Sequence, residues 1–267
     1  MLEIKIDESF NLKKTLECGQ CFHYLKEKDE YIVFGENSVC RASQNKDILT
    51  LDTTDYEAWK KYFALDEQYS NIIKYLVSFS KENDDLFSLQ SINKGCGIRI
   101  LRQPLFETCC SFILSQQNNI PRIQKMIFTL SEKYSSNTAI LHGVKYSCFP
   151  SPEDLSKVSI EAYKAIGFGY RAEYIYNFIK IWSQLKNSLS GEYSKDKEIL
   201  MSCKGIGTKV ADCICLYGLH ELDAFPIDTW MKKIINEEYK EKGKELIIPS
   251  QYAGILQQFM FDNKRNP

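Results

Sequence analysis

The chain has 267 residues, of which 44% are hydrophobic and 26% charged, a composition typical of a soluble globular protein and not of a disordered or collagen-like chain. Lys and Arg number 34 and Asp and Glu 35, so the net charge of −1 shows no overall basic bias toward nucleic acid. No apolar stretch approaches the roughly 18 residues of a membrane-spanning helix. The first residues, with early acidic side chains, predict no signal peptide.

Ten cysteines are present, and without a secretory signal we expect them to be free, buried thiols in a reducing compartment. Cys18 and Cys21 form a CxxC, but no second pair follows at zinc-finger spacing, so a metal or redox site is the less favoured alternative. The last cysteine is Cys215. We therefore expect no four-cysteine iron–sulfur cluster in the C-terminal part.

The first ninety residues predict strands followed by helices. Three short runs, Tyr31–Gly35, Ser38–Arg41 and Ile48–Leu51, are separated by polar turns and indicate an antiparallel sheet. Asp55 to Lys81 then carries apolar residues at helical intervals. Together they predict an N-terminal mixed β/α domain over residues 1–95.

The remaining chain, 96–267, reads as nearly all helical. Long apolar helices fit Leu105–Ser115 and Ile120–Tyr134. Ser151 followed by Pro152 predicts another helix start, with serine as the N-cap. The expected fold class is therefore α+β, with an N-terminal antiparallel β-sheet domain packed on a larger, all-helical body.

The most informative segment is a helical hairpin at about 198–219. Lys204–Gly207 forms a turn between two helices, and Gly205 and Gly207 allow the backbone to approach a partner closely. Free N–H groups at the start of the second helix favour an anion, for which a DNA phosphate is the natural candidate. A plain αα-hairpin with a glycine cap is the alternative.

Lys209 and Asp228 add a chemical pattern to this hairpin. Lys209 lies in the first turn of the second helix, where the helix dipole disfavours a cation. Asp228 follows Pro226 and is placed to cap a helix over Thr229–Tyr239. A lysine nucleophile with a carboxylate at a helix start suits attack on a sugar carbon. Taken singly, a surface lysine and a simple N-cap are the alternatives.

These motifs resemble the helix–hairpin–helix–Gly/Pro–Asp superfamily of DNA glycosylases, and within it the Ogg1-type 8-oxoguanine DNA glycosylase/lyases. The resemblance runs in family order over nearly the whole chain. It implies a bifunctional base excision repair enzyme that flips out and excises 8-oxoguanine from duplex DNA, preferably opposite cytosine, and can nick the abasic strand by β-elimination. The segments that carry it are Gly19–Phe22, Gly97–Gln103, Ser111–Arg122, Gly167–Tyr174, Lys204–Cys215, Phe225–Asp228 and Tyr252–Gln257.

The resemblance assigns the chemistry to two residues. Lys209 would attack the deoxyribose C1′ and form a Schiff base, and Asp228 would stabilise the positive charge that develops on the sugar. No cofactor is required and no iron–sulfur cluster is expected. A structural cation is a further expectation, held by hairpin main-chain carbonyls of Met201, Cys203 and Ile206.

The resemblance implies base recognition at four positions, and through Gly19 it gives the N-terminal domain a part in that recognition. The main-chain carbonyl of Gly19 would accept the N7–H of 8-oxoguanine, a proton that guanine lacks. Gln257 would read the Watson–Crick edge, and Phe261 and Cys213 would lie on the two faces of the flipped ring. Without the resemblance, Phe261 and Cys213 are more readily interpreted as core residues.

The resemblance also implies contacts with the DNA strands. Tyr170 would fill the gap left by the flipped base, and Arg122 and Arg171 would read the orphaned cytosine, with Gln117 as a further contact. Gln117 belongs to a run that is usually rich in asparagine in this family, and its side chain is longer than that of asparagine.

Two further departures concern residues near the hairpin and the catalytic Asp228. Lys204 replaces a usual proline, and Trp230 a common histidine.

Two alternatives remain open at this point. The chain could be a non-catalytic helix–hairpin–helix DNA-binding protein, or a related glycosylase with another damaged-base specificity. Lys209 together with Asp228 argues against the first, because phosphate binding alone does not need them. We expect a monomer acting on double-stranded DNA, without membrane contact, in the cytoplasm (nucleoid-associated in a prokaryote) or in the nucleus of a eukaryote.

Overall fold

Short runs rich in β-branched and aromatic residues build an N-terminal sheet. A computed structural model describes residues 1–7 and 9–266 of the chain. Its five antiparallel strands lie in the order β1-β5-β4-β3-β2. They are β1 (Leu2–Lys5), β2 (Tyr24–Glu27), β3 (Glu30–Phe34), β4 (Val39–Asn45) and β5 (Ile48–Asp52).

Both faces of the sheet are covered at β3. Tyr31 and Val33 belong to one buried cluster, and Ile32 and Phe34 to another on the opposite face. The three predicted strands are confirmed as β3, β4 and β5. The outer strands β1 and β2 were missed, because each has only four residues and no fully buried side chain. In β1 half-buried and exposed residues alternate, and in β2 every residue after the first is exposed.

Thirteen α-helices make up most of the remaining structure in the described part of the chain. A π-helical turn, Ile235–Tyr239, and a 3-10 turn, Lys240–Lys242, follow α12. The helices are α1 (Leu12–Glu17), α2 (Tyr56–Tyr62), α3 (Tyr69–Glu82), α4 (Leu86–Gly95), α5 (Leu105–Ser115), α6 (Ile120–Tyr134), α7 (Pro152–Ser156), α8 (Ile160–Ala165), α9 (Arg171–Ser188), α10 (Tyr193–Met201), α11 (Thr208–Gly218), α12 (Thr229–Ile234) and α13 (Ala253–Arg265).

Local sequence signals placed several of these helices correctly. The predictions for α5 and α6 are confirmed over their full length. Ser151 caps α7 in a reciprocal arrangement with Asp154, as the Ser-Pro signal predicts. The helical periodicity predicted over Asp55–Lys81 is confirmed and forms two helices, α2 and α3, because the chain turns at Ala64, whose φ is +51°.

The prediction of an all-helical body needs one correction. A two-stranded hairpin, β6 (Thr138–Leu141) and β7 (Val144–Ser147), interrupts the helices. His142 and Gly143 form its turn with φ of 49° and 77°, the positive values that a type I′ hairpin requires. Ala139 and Leu141 pack against Phe34 of the N-terminal sheet, so the hairpin completes the core on that face.

The C-terminal helix lies against the N-terminal region. α13 packs along α4, and the main hydrophobic core contains Cys18 and Phe22 from the start of the chain together with Phe259 from its end. The domain division at residue 95 stays a prediction, since the core is shared across it. No helix among the described residues is long and apolar enough to cross a membrane.

Candidate active site

The helical hairpin is held in place through Gly205. Its φ is +96°, and a Cβ atom there would lie 2.4 Å from Cγ of Tyr174 on α9. Gln116 Nε2, at the end of α5, donates to the Gly205 carbonyl at 2.8 Å. Gly207, the N-cap of α11, has no atom within 4 Å of the corresponding position. The turn is therefore fixed at Gly205, where it packs against α9. At Gly207 it leaves room for an anion at the start of α11.

Lys209 and Asp228 line the same cleft, which has a volume of about 910 Å³. Lys209 is half-buried in the first turn of α11, with its Nζ 5.5 Å from the centre of the Phe112 ring. Asp228 caps α12, and its Oδ1 accepts a hydrogen bond from Met231 N at 2.8 Å. The predicted N-cap is confirmed, and the cap fixes the carboxylate at the cleft wall. Within the described chain, Lys209 forms no ion pair.

Cys213 lies one helical turn after Lys209 and is buried. Burial raises the pKa of its thiol to about 11, while the nearby Lys209 amine, which also hydrogen-bonds the thiol, acts in the opposite direction. The thiol is therefore neutral near pH 7 and presents a polarisable, uncharged surface to the cleft.

The four predicted base-binding residues are brought together, because Gly19, Gln257, Phe261 and Cys213 all line this cleft. Gly19 has a φ of +92°, and a Cβ atom there would lie 2.9 Å from Nη1 of Arg265 and 3.7 Å from Cε1 of Phe261. Only glycine fits this position without a shift. Gln257 is 3% exposed, and its Oε1 has no hydrogen-bond partner in the described structure. Such a buried acceptor is ready for a donor from a ligand.

The residues expected to contact the DNA strands lie mostly outside the cleft. Tyr170 is 47% exposed, just before α9, and its hydroxyl donates to Gln116 O at 3.3 Å. Gln117 lines the cleft, is exposed and has a φ of +47°. Arg122 is exposed and donates to Gly167 O at 3.3 Å. These three side chains are accessible to a partner.

Arg171 differs from this pattern because it is only 4% exposed. Its guanidinium donates to the main-chain carbonyls of Gln116, Gln117 and Phe168 and lies 4.5 Å from the centre of the Tyr170 ring. In this conformation Arg171 ties the loop after α5 to the turn before α9. Its reading of a cytosine stays a prediction.

Comparison with known proteins places this geometry in a family. Residues 2–109 match the model of the 8-oxoguanine DNA glycosylase N-terminal domain, and residues 110–249 match that of the HhH-GPD superfamily of base excision DNA repair proteins. The chain belongs to the 8-oxoguanine DNA glycosylase family of the HhH-GPD superfamily.

Relatives support this assignment over most of the chain. The N-glycosylase/DNA lyase of Saccharomyces cerevisiae is 31% identical over an alignment of 265 residues in length, which covers 86% of this chain and 68% of the yeast protein. A structure of MBOgg1 with a low-affinity DNA ligand has a TM-score of 0.86 at 32% identity and covers 98% of this chain and 94% of that one. The 8-oxoguanine glycosylase/lyase of Clostridium acetobutylicum, bound to double-stranded DNA with cytosine opposite 8-oxoguanine, has a TM-score of 0.82 at 28% identity, covering 97% and 92% of the two chains.

The buried cysteines of this glycosylase are free thiols. Cys18 and Cys21 of the CxxC have different partners: Cys18 Sγ donates to Thr15 O at 3.3 Å, and Cys21 Sγ lies 3.6 Å from the Tyr62 hydroxyl. Burial raises the pKa of both thiols to about 12. They therefore behave as core residues.

The predicted cation at the hairpin stays an expectation. Of the three carbonyls named for it, that of Cys203 accepts a hydrogen bond from Ile206 N at 3.0 Å. Among the residues that the structure describes, no group of three His, Cys, Asp or Glu side chains could hold a metal ion. The two residues that differ from the usual family residues, Lys204 and Trp230, are both exposed. Lys204 lies on the hairpin turn, and Trp230 lies in the cleft wall.

Sequence reasoning missed several cleft residues of this glycosylase. Tyr217 continues the face of α11 that carries Lys209 and Cys213, and the four-residue spacing of the three could have revealed it. Gln258 and Arg265 on α13 also line the cleft. Their partners lie near the start of the chain, so no local pattern pointed to them.

Proposed function

We propose that this protein excises 8-oxoguanine from duplex DNA and cleaves the resulting abasic strand, with Lys209 as the nucleophile. One observation carries the proposal: Lys209 and Asp228 line the same cleft as Gly19 and Gln257. A lysine amine, a carboxylate and a cleft with hydrogen-bonding groups for the base are what a glycosylase/lyase reaction needs. The names of the yeast and Clostridium relatives support the same activity.

The reaction follows from the positions of these groups. The unprotonated Lys209 amine attacks C1′, and the bond from C1′ to N9 breaks with its electron pair leaving on the base, which is then protonated. Opening of the sugar ring passes an amine proton to O4′ and leaves a Schiff base between C1′ and Nζ. Loss of a C2′ proton then expels the 3′ phosphate and nicks the strand. Asp228, fixed by its capping bond, stabilises the positive charge that develops on the sugar.

Base choice rests on hydrogen-bond polarity. The N7–H of 8-oxoguanine donates to a carbonyl, whereas N7 of guanine would present a lone pair to it. Leaving the Gly19 carbonyl without its bond costs about 1–3 kcal/mol, or roughly 5–150-fold in discrimination. The buried Oε1 of Gln257 matches the donors on the Watson–Crick edge of the same base.

The finer features of the function are also part of the proposal. Tyr170 fills the space left by the flipped base, Arg122 and Gln117 face the opposite strand, and Arg171 supports the loop that carries Gln117. Cytosine is the preferred partner of the lesion. The protein acts on DNA as a monomer, because one flipped base occupies one pocket. The reaction requires no cofactor.

Borohydride trapping tests the nucleophile. A duplex with 8-oxoguanine opposite cytosine is incubated with protein and borohydride, which reduces the Schiff base to a stable covalent adduct. Wild-type protein should form the adduct and Lys209→Gln should form none. Asp228→Asn should lower the rate by on the order of 10²–10³-fold. Lys157→Gln is the control, since it removes an exposed lysine that lies outside the hairpin and the cleft, and it should leave the adduct intact.

Two results would count against the proposal. A Lys209→Gln variant that still forms the adduct would remove this residue from the role of nucleophile. Tight DNA binding by wild-type protein without released base or nicked strand would favour a non-catalytic binding module. The same assay with cytosine, adenine, guanine and thymine opposite the lesion measures the partner preference.

A further inference from the structure

The turn that presents Gly19 is held by side chains from other parts of the chain. Gln258 Nε2 on α13 donates to Cys18 O at 3.3 Å, and Arg265 Nη2 on the same helix donates to Glu17 O at 3.1 Å. After Gly19, Gln103 Nε2 donates to Gln20 O at 2.8 Å. The carbonyls on both sides of Gly19 are therefore occupied.

The Gly19 carbonyl itself accepts no hydrogen bond within residues 1–7 and 9–266. Its neighbours are fixed, so it remains the one free main-chain acceptor of this described turn segment, Glu17–Gln20. Its direction then depends on the groups that hold Glu17, Cys18 and Gln20. A carbonyl that reads a single proton on a base must be fixed in this way, because a small displacement weakens the bond steeply.

Gln258 also connects the turn to the helix of the nucleophile. Its Oε1 accepts a hydrogen bond of 2.6 Å from the Tyr217 hydroxyl, and both side chains are buried. Tyr217 stacks on Phe112 at 5.3 Å between ring centres, and the Lys209 amine lies over the same Phe112 ring. A continuous chain of contacts thus joins Lys209 on α11 to the turn that carries Gly19.

We propose that Gln258 and Arg265 are positioning residues, which set the Gly19 carbonyl relative to the Lys209 helix and so determine the efficiency of base recognition. The two residues act together as a clasp, here called the α13 clasp. They hold the turn through its main chain, whereas Gln257 and Phe261 on the same helix face the base. This inference rests on the proposed function and deepens it.

The test compares two activities of the same protein. Excision of 8-oxoguanine needs the base pocket, whereas cleavage at a preformed abasic site needs Lys209 but no base. Gln258→Glu keeps an acceptor for Tyr217 and loses the donor to Cys18 O. Arg265→Gln loses the charged donor to Glu17 O. Single-turnover excision should fall roughly ten-fold or more in both variants, because a misplacement of about 1 Å can lower a reaction rate by up to about 10²-fold. The rate of abasic-site cleavage should change less than about two-fold, because that reaction does not use the base pocket.

Matched variants separate positioning from stability. Asn263→Asp makes the same amide-to-acid change at another buried position of α13, where the amide donates to Ser91 Oγ at 3.0 Å, far in sequence from the turn. It should leave the ratio of the two activities unchanged. Tyr217→Phe removes only the hydroxyl and should lower excision by roughly three-fold. Gln258→Met serves if the glutamate variant does not fold.

The outcomes distinguish this inference from the proposed function. Equal losses of excision and abasic-site cleavage in the Gln258 and Arg265 variants would overturn the positioning role. So would the same selective loss in Asn263→Asp. Wild-type protein that leaves both DNA substrates intact would refute the proposed function itself, and the inference with it. A selective loss confined to the α13 clasp variants supports the inference.

Discussion

Gly205 is the position where one added methyl group should matter most for the hairpin. In Gly205→Ala the new Cβ would lie 2.4 Å from Cγ of Tyr174, and the residue would keep a φ of +96°. The backbone conformation costs a non-glycine residue about 1–2 kcal/mol, and the steric overlap adds about 1–3 kcal/mol. The free energy of unfolding should therefore fall by about 2–5 kcal/mol.

Gly207 provides the control two residues away. Its φ is −89°, and nothing lies within 4 Å of an added Cβ. The free energy of unfolding of Gly207→Ala should stay within about 0.5 kcal/mol of wild type. Its affinity for duplex DNA should fall, because the methyl group occupies the open side where we expect a phosphate.

Equilibrium unfolding in urea and DNA binding at fixed salt measure both variants. Adding Tyr174→Ala to Gly205→Ala should restore the part of the loss that comes from overlap, but not the part that comes from the backbone. A Gly205→Ala variant as stable as wild type, or an equal loss of stability in Gly207→Ala, would contradict the structural role of Gly205.

Three further predictions follow from the site. Arg171→Met should lower the free energy of unfolding by about 1–3 kcal/mol in urea titrations, because main-chain carbonyls lose their donor. The control Arg122→Met, at an exposed position, should stay within about 0.5 kcal/mol of wild type. Equal effects of the two substitutions would contradict the supporting role of Arg171. Burial raises the pKa of the Cys213 thiol to about 11. Because the thiolate is the nucleophile, Cys213 should react with iodoacetamide at pH 8 roughly ten-fold or more slowly than free cysteine. Mass spectrometry of the labelled peptide measures this rate, and a rate equal to that of free cysteine would contradict the burial. If about four to six phosphates are neutralised, the logarithm of DNA affinity should fall with the logarithm of salt concentration at a slope of about −4 to −5, and a slope near zero would exclude the proposed phosphate contacts.

Periodic and capping signals predicted what depends on neighbours in sequence. The strands β3 to β5, the helices α5 and α6, and the capping roles of Ser151 and Asp228 follow from local patterns. The β6–β7 hairpin escaped prediction because its turn is a His-Gly pair, not one of the commonest Asn-Gly or Asp-Gly pairs.

The limits at the site have a different cause. Cleft residues that carry their own chemical pattern, such as Lys209, could be found from the sequence. Arg171 was expected to face DNA, yet its guanidinium donates to carbonyls some 54 and 55 residues away. The bond from Gln258 to Cys18 spans 240 residues. Such contacts are decided by tertiary packing, which no local pattern encodes.

The long span of that last bond also bears on folding kinetics. The base pocket needs Gly19 and Gln257 at once, so its closure requires the ordering of one of the largest loops in the chain. Closing a large loop is entropically costly, and contacts of high sequence separation slow folding. During synthesis the sheet and the Lys209 helix are made before α13, so we expect the nucleophile to be in place before any base can be recognised. Damage recognition would then be the last property that the folding chain acquires.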